Sequence, residues 1–510
     1  MLNDLTDLPE DRAEVTALFG MMANEIKSQA LEIEQLKLQL SKQRQHRFGS
    51  SSEALDQLKL GFEELELAAS TELSPKQTEE ECSGHKEAKD KPKRKPLPDH
   101  LERQEQRLYV EGDCPDCGGS LKTVGEDVTE ELEYVPGRFV VNRIVRPRKA
   151  CSCCESFVQA PLPSRPIERG RPGPGLLAHV LVSKYADHLP LYRQSEIYGR
   201  DGLDISRSTM ADWVGKSATL LEPLANKLRD HVLAGQAIFA DDTPVNMLAP
   251  KAGKTKKARL WTYVRDERPW AGEAPPAVWY QFSLDRKGIR PKEHLVNYSG
   301  WMHADGYAGF EELYRGDKIK EVACMAHVRR KFVDLHKANG LDVAEEAIKR
   351  IAALYAIEKE VRGSPPDKRV ELRQSKANPI FDDLEVWLDA QLAKISGKSQ
   401  LAKDIRYALN RMNRMRSYLD HGFLELDNNA AERSIRPIAL GRKNYLFMGS
   451  EKGGKAAAII YSLIETAKLN DVDPQAWLAF VLGHIADQKV TELDELMPWI
   501  FRNNGGTGFV

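Results

Sequence analysis

Ile238-Phe239-Ala240-Asp241-Asp242-Thr243-Pro244 is an apolar run that closes on two adjacent carboxylates. It lies in a strand-like stretch at 236–248. Two more stretches, 258–266 and 277–285, are rich in β-branched and aromatic side chains and read as strands. A short helix is expected near 291–298. A strand then closes at Asp305 in Trp301-Met302-His303-Ala304-Asp305-Gly306-Tyr307, and another covers 319–325. Three strands with short connections, a helical crossover and further strands predict a mixed sheet with helices packed on it.

The order of these elements matches a ribonuclease-H-like sheet, with one Asp on the first strand and one on the fourth. That is an analogy of fold, and function has to be argued from the site. A third acid, Glu432, lies in a polar, helical-looking stretch, Asp427-Asn428-Asn429-Ala430-Ala431-Glu432-Arg433. Taken singly, each acid reads as a turn or surface group. Together, two strand ends and a helix can bring carboxylates to one point. Two hard cations held there would activate a water and stabilise the leaving oxygen of a phosphodiester.

The chain has 510 residues, too many for one compact domain. Its net charge of -2 excludes polyanion binding by bulk charge. Basic clusters are local: Lys91 to Lys95, Arg143 to Lys149, and Lys251 to Lys257. Such clusters are commonly solvated surface and are also potential phosphate contacts. Apolar runs long enough to span a membrane are missing, and the acidic N-terminus lacks a signal-peptide pattern. Seven cysteines, five of them clustered, do not form a secreted disulfide framework, so a cytoplasmic protein is expected.

Met22, Ile26, Ile33, Leu36 and Leu40 fall on heptad spacing with polar Gln29 at one seam position. This predicts a short coiled coil, or an amphipathic helix packed on its own chain. Residues 70–106 are poor in apolar side chains and read as a linker. Cys114-Pro115-Asp116-Cys117 and Cys151-Ser152-Cys153-Cys154 form two Cys-x-x-Cys pairs, a zinc-ribbon pattern. Cys114, Cys117, Cys151 and Cys154 are the expected ligands of one structural zinc, with Cys153 extra. Helices are expected at 176–186, at 192–198 and after a Ser206 cap. They suit a helix-turn-helix DNA reader or a plain packing unit. Residues 341–422 read as a helical insertion between the second and third acids. Asp473-Pro474 marks the start of a late helix.

Several stretches resemble the large transposase subunit of the insertion sequence 66 family, over nearly the whole chain. The most specific are Ile167 to Val180, Asp187 to Arg193, Cys324-Met325-Ala326-His327-Val328-Arg329-Arg330-Lys331-Phe332, and Asn428 to Phe447. The resemblance implies a multidomain α/β protein. Its expected parts are a zipper-like helix at 1–60, a linker at 61–106, a zinc-binding domain at 107–165 and a helix-turn-helix-like region at 166–230. A ribonuclease-H-like catalytic domain at 231–455 would carry the insertion 341–422, and a C-terminal helical domain would fill 456–510. It also implies binding of terminal repeats, and strand cleavage and transfer with two Mg2+ or Mn2+ ions on Asp241, Asp305 and Glu432. Adjacent Asp242 is the alternative ligand, because only one of two neighbouring strand residues can face the site. The family pattern of Asp, an acid, then Thr favours Asp241. His327, Arg329, Arg330, Arg433, Arg436, Arg442 and Lys443 become candidates for holding DNA phosphates, against surface ion pairing as the plain alternative. Implied partners are DNA, further copies of the chain and accessory proteins of the element. The implied setting is the bacterial cytoplasm, near the nucleoid. The competing reading is a zinc and helix-turn-helix DNA-binding protein without catalysis.

Overall fold

The computed structural model describes residues 172–249 and 254–505, with 164–168, 157–159, 148–150, Gly137 and Phe139. The coiled-coil segment, the linker and all of the expected zinc ligands lie outside the described residues. Near them, Arg148–Ala150 and Phe157–Gln159 pair as a short antiparallel hairpin in a separate compact unit, Pro75–Pro163.

The larger unit is built on five strands: β1 (Ala237–Ala249), β2 (Lys254–Arg265), β3 (Ala277–Ser283), β4 (Gly300–Ala304) and β5 (Ile319–Ala323). Their order is β3-β2-β1-β4-β5. The first three are antiparallel neighbours, while β4 pairs parallel to β1 and to β5. Ile238, Phe239 and Ala240 are all buried, so both faces of β1 are covered, as a continuous apolar run in a central strand requires. Strand β2 starts four residues before the expected 258. Lys254, Lys256 and Lys257 are poor strand formers, yet with Thr255 they pair with the far end of β1. Strand β5 stops at Ala323, because Met325 already opens a helix.

The longer helices are α1 (Pro174–Tyr185), α2 (Leu191–Arg200), α3 (Arg207–Leu233), α4 (Met325–Asn339), α5 (Asp342–Val361), α6 (Asn378–Leu392), α7 (Gln400–Met415), α8 (Asn429–Asn444), α9 (Glu451–Leu469) and α10 (Pro474–His484). Gly202, at φ 76°, turns the chain after α2 in a left-handed conformation that favours glycine. Ser206 caps α3 by accepting from the Thr209 N–H at 3.2 Å. Asp473 caps α10 by accepting from Gln475 and Ala476.

One core joins the sheet to α1, α3, α9 and α10. The divisions expected at 230/231 and 455/456 therefore cut through helices of that core, α3 and α9. Helix α9 also covers the free edge of β3. Ser462 Oγ accepts from Tyr280 N at 2.8 Å, and Thr466 Oγ1 accepts from Val278 N at 3.1 Å. An edge strand is thereby closed to pairing with another chain. A second core, beyond β5, is filled by α4 to α7 with Leu424 and Leu426. The expected insertion is thus helical, and it packs on α4 and β5. Among the described residues no helix is long and apolar enough to cross a membrane.

His303 on β4 is fully buried and stacks on Phe239 at 4.4 Å. Its Nε2 accepts from Glu425 N at 3.0 Å. Burial pushes its pKa down from 6.5 to about 3, so the ring is neutral in the fold. Between those values the unfolded chain binds a proton that the folded chain refuses. Its contribution is therefore full above pH 6.5 and is lost on acidification, at up to about 1.4 kcal/mol per pH unit. Asp242 works the other way, since burial raises its pKa to about 6 and the fold gains relative stability as pH falls through that value. In His303→Asn, denaturant titrations between pH 6 and 4 should give a slope shallower by about one proton. An unchanged slope would mean that His303 already titrates normally.

Candidate active site

The register of the central parallel pair decides where the first two acids stand. Ala240 of β1 lies opposite Ala304 of β4, the last pair of that ladder. Asp241 and Asp305 are the next residues on each strand, side by side where β4 ends. Such carboxyl ends of parallel strands are where open α/β sheets present ligand-binding groups.

Helix α8 brings in the third acid. It packs across β1 and β2, and the Asn428 side chain donates to the Ala240 carbonyl at 2.9 Å. This contact pins the start of the helix one residue before Asp241. Tyr280 donates to the Ser434 carbonyl at 2.5 Å and ties the middle of α8 to β3. Glu432 lies in the first helical turn, where the helix dipole favours an anion, and is 5% exposed.

Asp241 is buried and feels Asp305, Asp242 and Glu432. Burial first, then these three like charges, hold its pKa well above the usual carboxylate range. Asp241 Oδ1 accepts from the Asp242 N–H at 2.7 Å. Asp242 has a different environment: Arg259 stands 3.0 Å from its Oδ2 and Arg286 2.9 Å from its Oδ1. Burial still raises it to about 6, against the pull of both arginines. Arg286 also reaches to 3.8 Å from Asp305 and lies over the Tyr307 ring at 4.2 Å. Asp305 Oδ1 accepts from Tyr307 N at 3.0 Å, which turns the chain away from the strand end.

The expected DNA contacts divide between two helices. His327, Arg329 and Arg330 are partly exposed in the first turns of α4, and His327 Nδ1 is 3.5 Å from Glu432 Oε1. Arg433 and Lys443 are exposed on α8, while Arg436 and Arg442 are partly covered. Arg442 donates to the Pro244 carbonyl on β1, a positioning contact inside the protein. Lys254, Lys256 and Lys257 of the basic cluster are exposed on β2.

Sequence reasoning missed Arg259 and Arg286, since a lone arginine in a strand or loop carries no spacing signal. It also missed the positioning role of Asn428, although the stretch that contains it stood out.

A mixed sheet that gathers three buried or half-buried carboxylates beside arginines is suited to phosphoryl chemistry on a polyanion, the class of transposase- and nuclease-type enzymes. Comparison with known families agrees with that class. Residues 169–456 match the Transposase IS66 family, 462–499 the IS66 C-terminal element, 111–155 the zinc-finger binding domain of transposase IS66, and 35–105 the Transposase C of IS166 homeodomain. The chain belongs to the IS66 transposase family, with a zinc-finger region and a leucine-zipper-like region ahead of the transposase match. Among its relatives, the uncharacterized protein y4hP of Sinorhizobium fredii is 40% identical over 488 residues, spanning 92% of this chain and 88% of its own. The uncharacterized protein y4qI of the same organism is 40% identical over 547 aligned residues, spanning 98% and 99%.

Proposed function

We propose that this chain binds the terminal inverted repeats of an insertion element and cuts and rejoins DNA strands in a metal-dependent reaction, using Asp241, Asp305 and Glu432. The observation that carries this is the convergence of these three acids, through the β1–β4 register and the Asn428 tether. The strand order β3-β2-β1-β4-β5 supports a ribonuclease-H-like core.

The donor set suits hard cations. It consists of carboxylate oxygens; burial, then the neighbouring carboxylates, holds Asp241 up in pKa, and a divalent charge would relieve that crowding. Two Mg2+ ions, or Mn2+, held there supply activation of the attacking water or 3′-hydroxyl and stabilisation of the leaving oxygen. The protein's own part is to hold Asp241 on β1 and Glu432 on α8 beside Asp305, which directly follows β4. Arg286, paired to Asp242, offers a fixed guanidinium beside Asp305 for phosphate. Arg329 and Arg330 on α4, with Arg433, Arg436 and Lys443 on α8, are proposed phosphate-holding groups, while Arg442 is engaged by the Pro244 carbonyl. Two element ends are joined by an assembly, so further copies of the chain and accessory proteins of the element are proposed partners.

A nicking assay on terminal-repeat DNA, with and without Mg2+ or Mn2+, tests the reading. Metal-dependent cleavage followed by strand-joining products supports it. Binding without cleavage favours a zinc and helix-turn-helix DNA-binding protein, and cleavage without joining favours a nuclease.

Cys114, Cys117, Cys151 and Cys154 are proposed to hold one structural Zn2+. Elemental analysis should find one zinc fewer per chain after Cys114→Ser and Cys117→Ser together. Zinc retained in full by that variant would overturn the assignment.

A further inference from the structure

We propose that Cys324, His327 and Glu432 form a second metal site, for a thiophilic divalent cation of the Zn2+ type, and that its occupation withdraws Glu432 from catalysis. The binding site stands on its own geometry. Only the inhibitory consequence rests on the catalytic role proposed for Glu432.

Cys324 is the last residue before α4 and His327 lies in its first turn. A spacing of three residues at a helix start sets both side chains on one face. That face meets the first turn of α8. The Cys324 sulfur, a His327 ring nitrogen and a Glu432 carboxylate oxygen all lie within 4.8 Å of one another. A tetrahedral ion with bonds of about 2.0–2.3 Å needs donors roughly 3.3–3.8 Å apart, so side-chain adjustments of about 1 Å would close the site.

A second observation points into the same space. His327 Nδ1 is buried with no hydrogen-bond partner, and Glu432 Oε1 at 3.5 Å does not supply one. A buried orphan nitrogen is costly, and a metal bond would satisfy it. Cys324 is buried too, and its sulfur accepts from Asn428 N at 3.2 Å.

Ligand chemistry separates this site from the catalytic one. Sulfur and imidazole select zinc-like ions, whereas Mg2+ takes oxygen donors and keeps waters. Three protein ligands leave one position open. Glu432 is common to both sites, so a Zn2+ ion here removes one of three carboxylates from the catalytic set.

The test uses the full chain with its zinc-finger region already loaded with Zn2+. Co2+ is then titrated in, and absorption is followed. One Co2+ per chain with a thiolate-to-metal charge-transfer band is expected. The band should vanish in Cys324→Ser and lose affinity in His327→Gln, with thermal unfolding used to establish that each variant is folded. A wild-type chain without the band, or a Cys324→Ser chain that keeps it, overturns the site. Added Zn2+ should also inhibit Mg2+-dependent cleavage. Cys324→Ser should need at least about tenfold more Zn2+, since even changes outside the ligand set cost metal affinity on that scale. A chain that never cuts DNA but shows the band keeps the metal site and loses the transposase reading. A chain that cuts DNA without the band does the reverse.

Discussion

Asp241→Asn, Asp305→Ala and Glu432→Ala are each expected to reduce DNA strand cleavage by roughly three orders of magnitude or more, because losing a proposed metal ligand would forfeit several kcal/mol of charge stabilisation. Binding to terminal-repeat DNA should stay near wild type, since the proposed phosphate contacts lie on other residues. Asp241→Asn has a second expected effect of opposite sign. Burial and three neighbouring carboxylates disfavour the Asp241 charge, so a neutral isostere should raise the melting temperature of metal-free protein. It should also weaken the stabilisation that added Mg2+ gives by binding only the folded state. Asp242→Asn should behave differently in cleavage. Its carboxylate is held between Arg259 and Arg286 and is not one of the three proposed ligands, so cleavage should persist. Wild-type cleavage by any one of the first three variants would strike that residue from the site. A dead Asp242→Asn beside a live Asp241→Asn would exchange their roles.

Glu358→Ala is expected to destabilise the protein by about 3–5 kcal/mol, the usual cost of stripping one partner from a buried ion network. Glu358 on α5 faces Arg373, which donates to it through Nε at 2.8 Å and through Nη2 at 2.6 Å. Arg369 adds a contact to Glu358 at 3.2 Å and pairs with Glu425. Both arginines are essentially unexposed. They lie one turn apart in helix Pro366–Leu372 and the π turn Arg373–Ala377 that continues it. Arg373 also donates to the Tyr418 and Leu424 carbonyls, and Arg369 to the Pro269 carbonyl. Glu425 N donates to His303 on β4, so the network ties the insertion to the sheet just before the chain enters α8. Without Glu358, two guanidiniums keep their burial and lose an anion. Exchanging Glu358→Leu and Arg373→Met together should cost much less, because both desolvation penalties go at once. Urea unfolding followed by tryptophan fluorescence reads both. A Glu358→Ala midpoint within about 0.5 kcal/mol of wild type would show that water or rearrangement already compensates these charges.

Local pattern carried much of this architecture. The apolar run at 238–240 and the aromatic runs at 258–266 and 277–285 report their own burial, because a strand covered on both faces must be apolar on both. Ser206 and Asp473 marked helix starts because a capping side chain is a local device. The acids stood out because two close apolar runs and the third lies in a polar, helical-looking stretch, and the family motifs narrowed the choice.

Other features have no local signature. Lys254 to Lys257 join β2 only because β1 extends far enough to pair with them. The covering of β3 by Ser462 and Thr466 joins residues about 180 positions apart in sequence, from 278 and 280 to 462 and 466. The same holds for Arg369 and Arg373, whose charge reads as surface until the whole insertion is packed around it. Sequence alone determined which segments become strands and helices, and which acids could serve a metal. Tertiary structure alone decided that Asp242 is taken by two arginines while Asp241 faces Asp305 and Glu432. The physical reason is that charge pairing and burial depend on which chains meet, and the meeting of β1, β4 and α8 is set by packing across nearly two hundred residues.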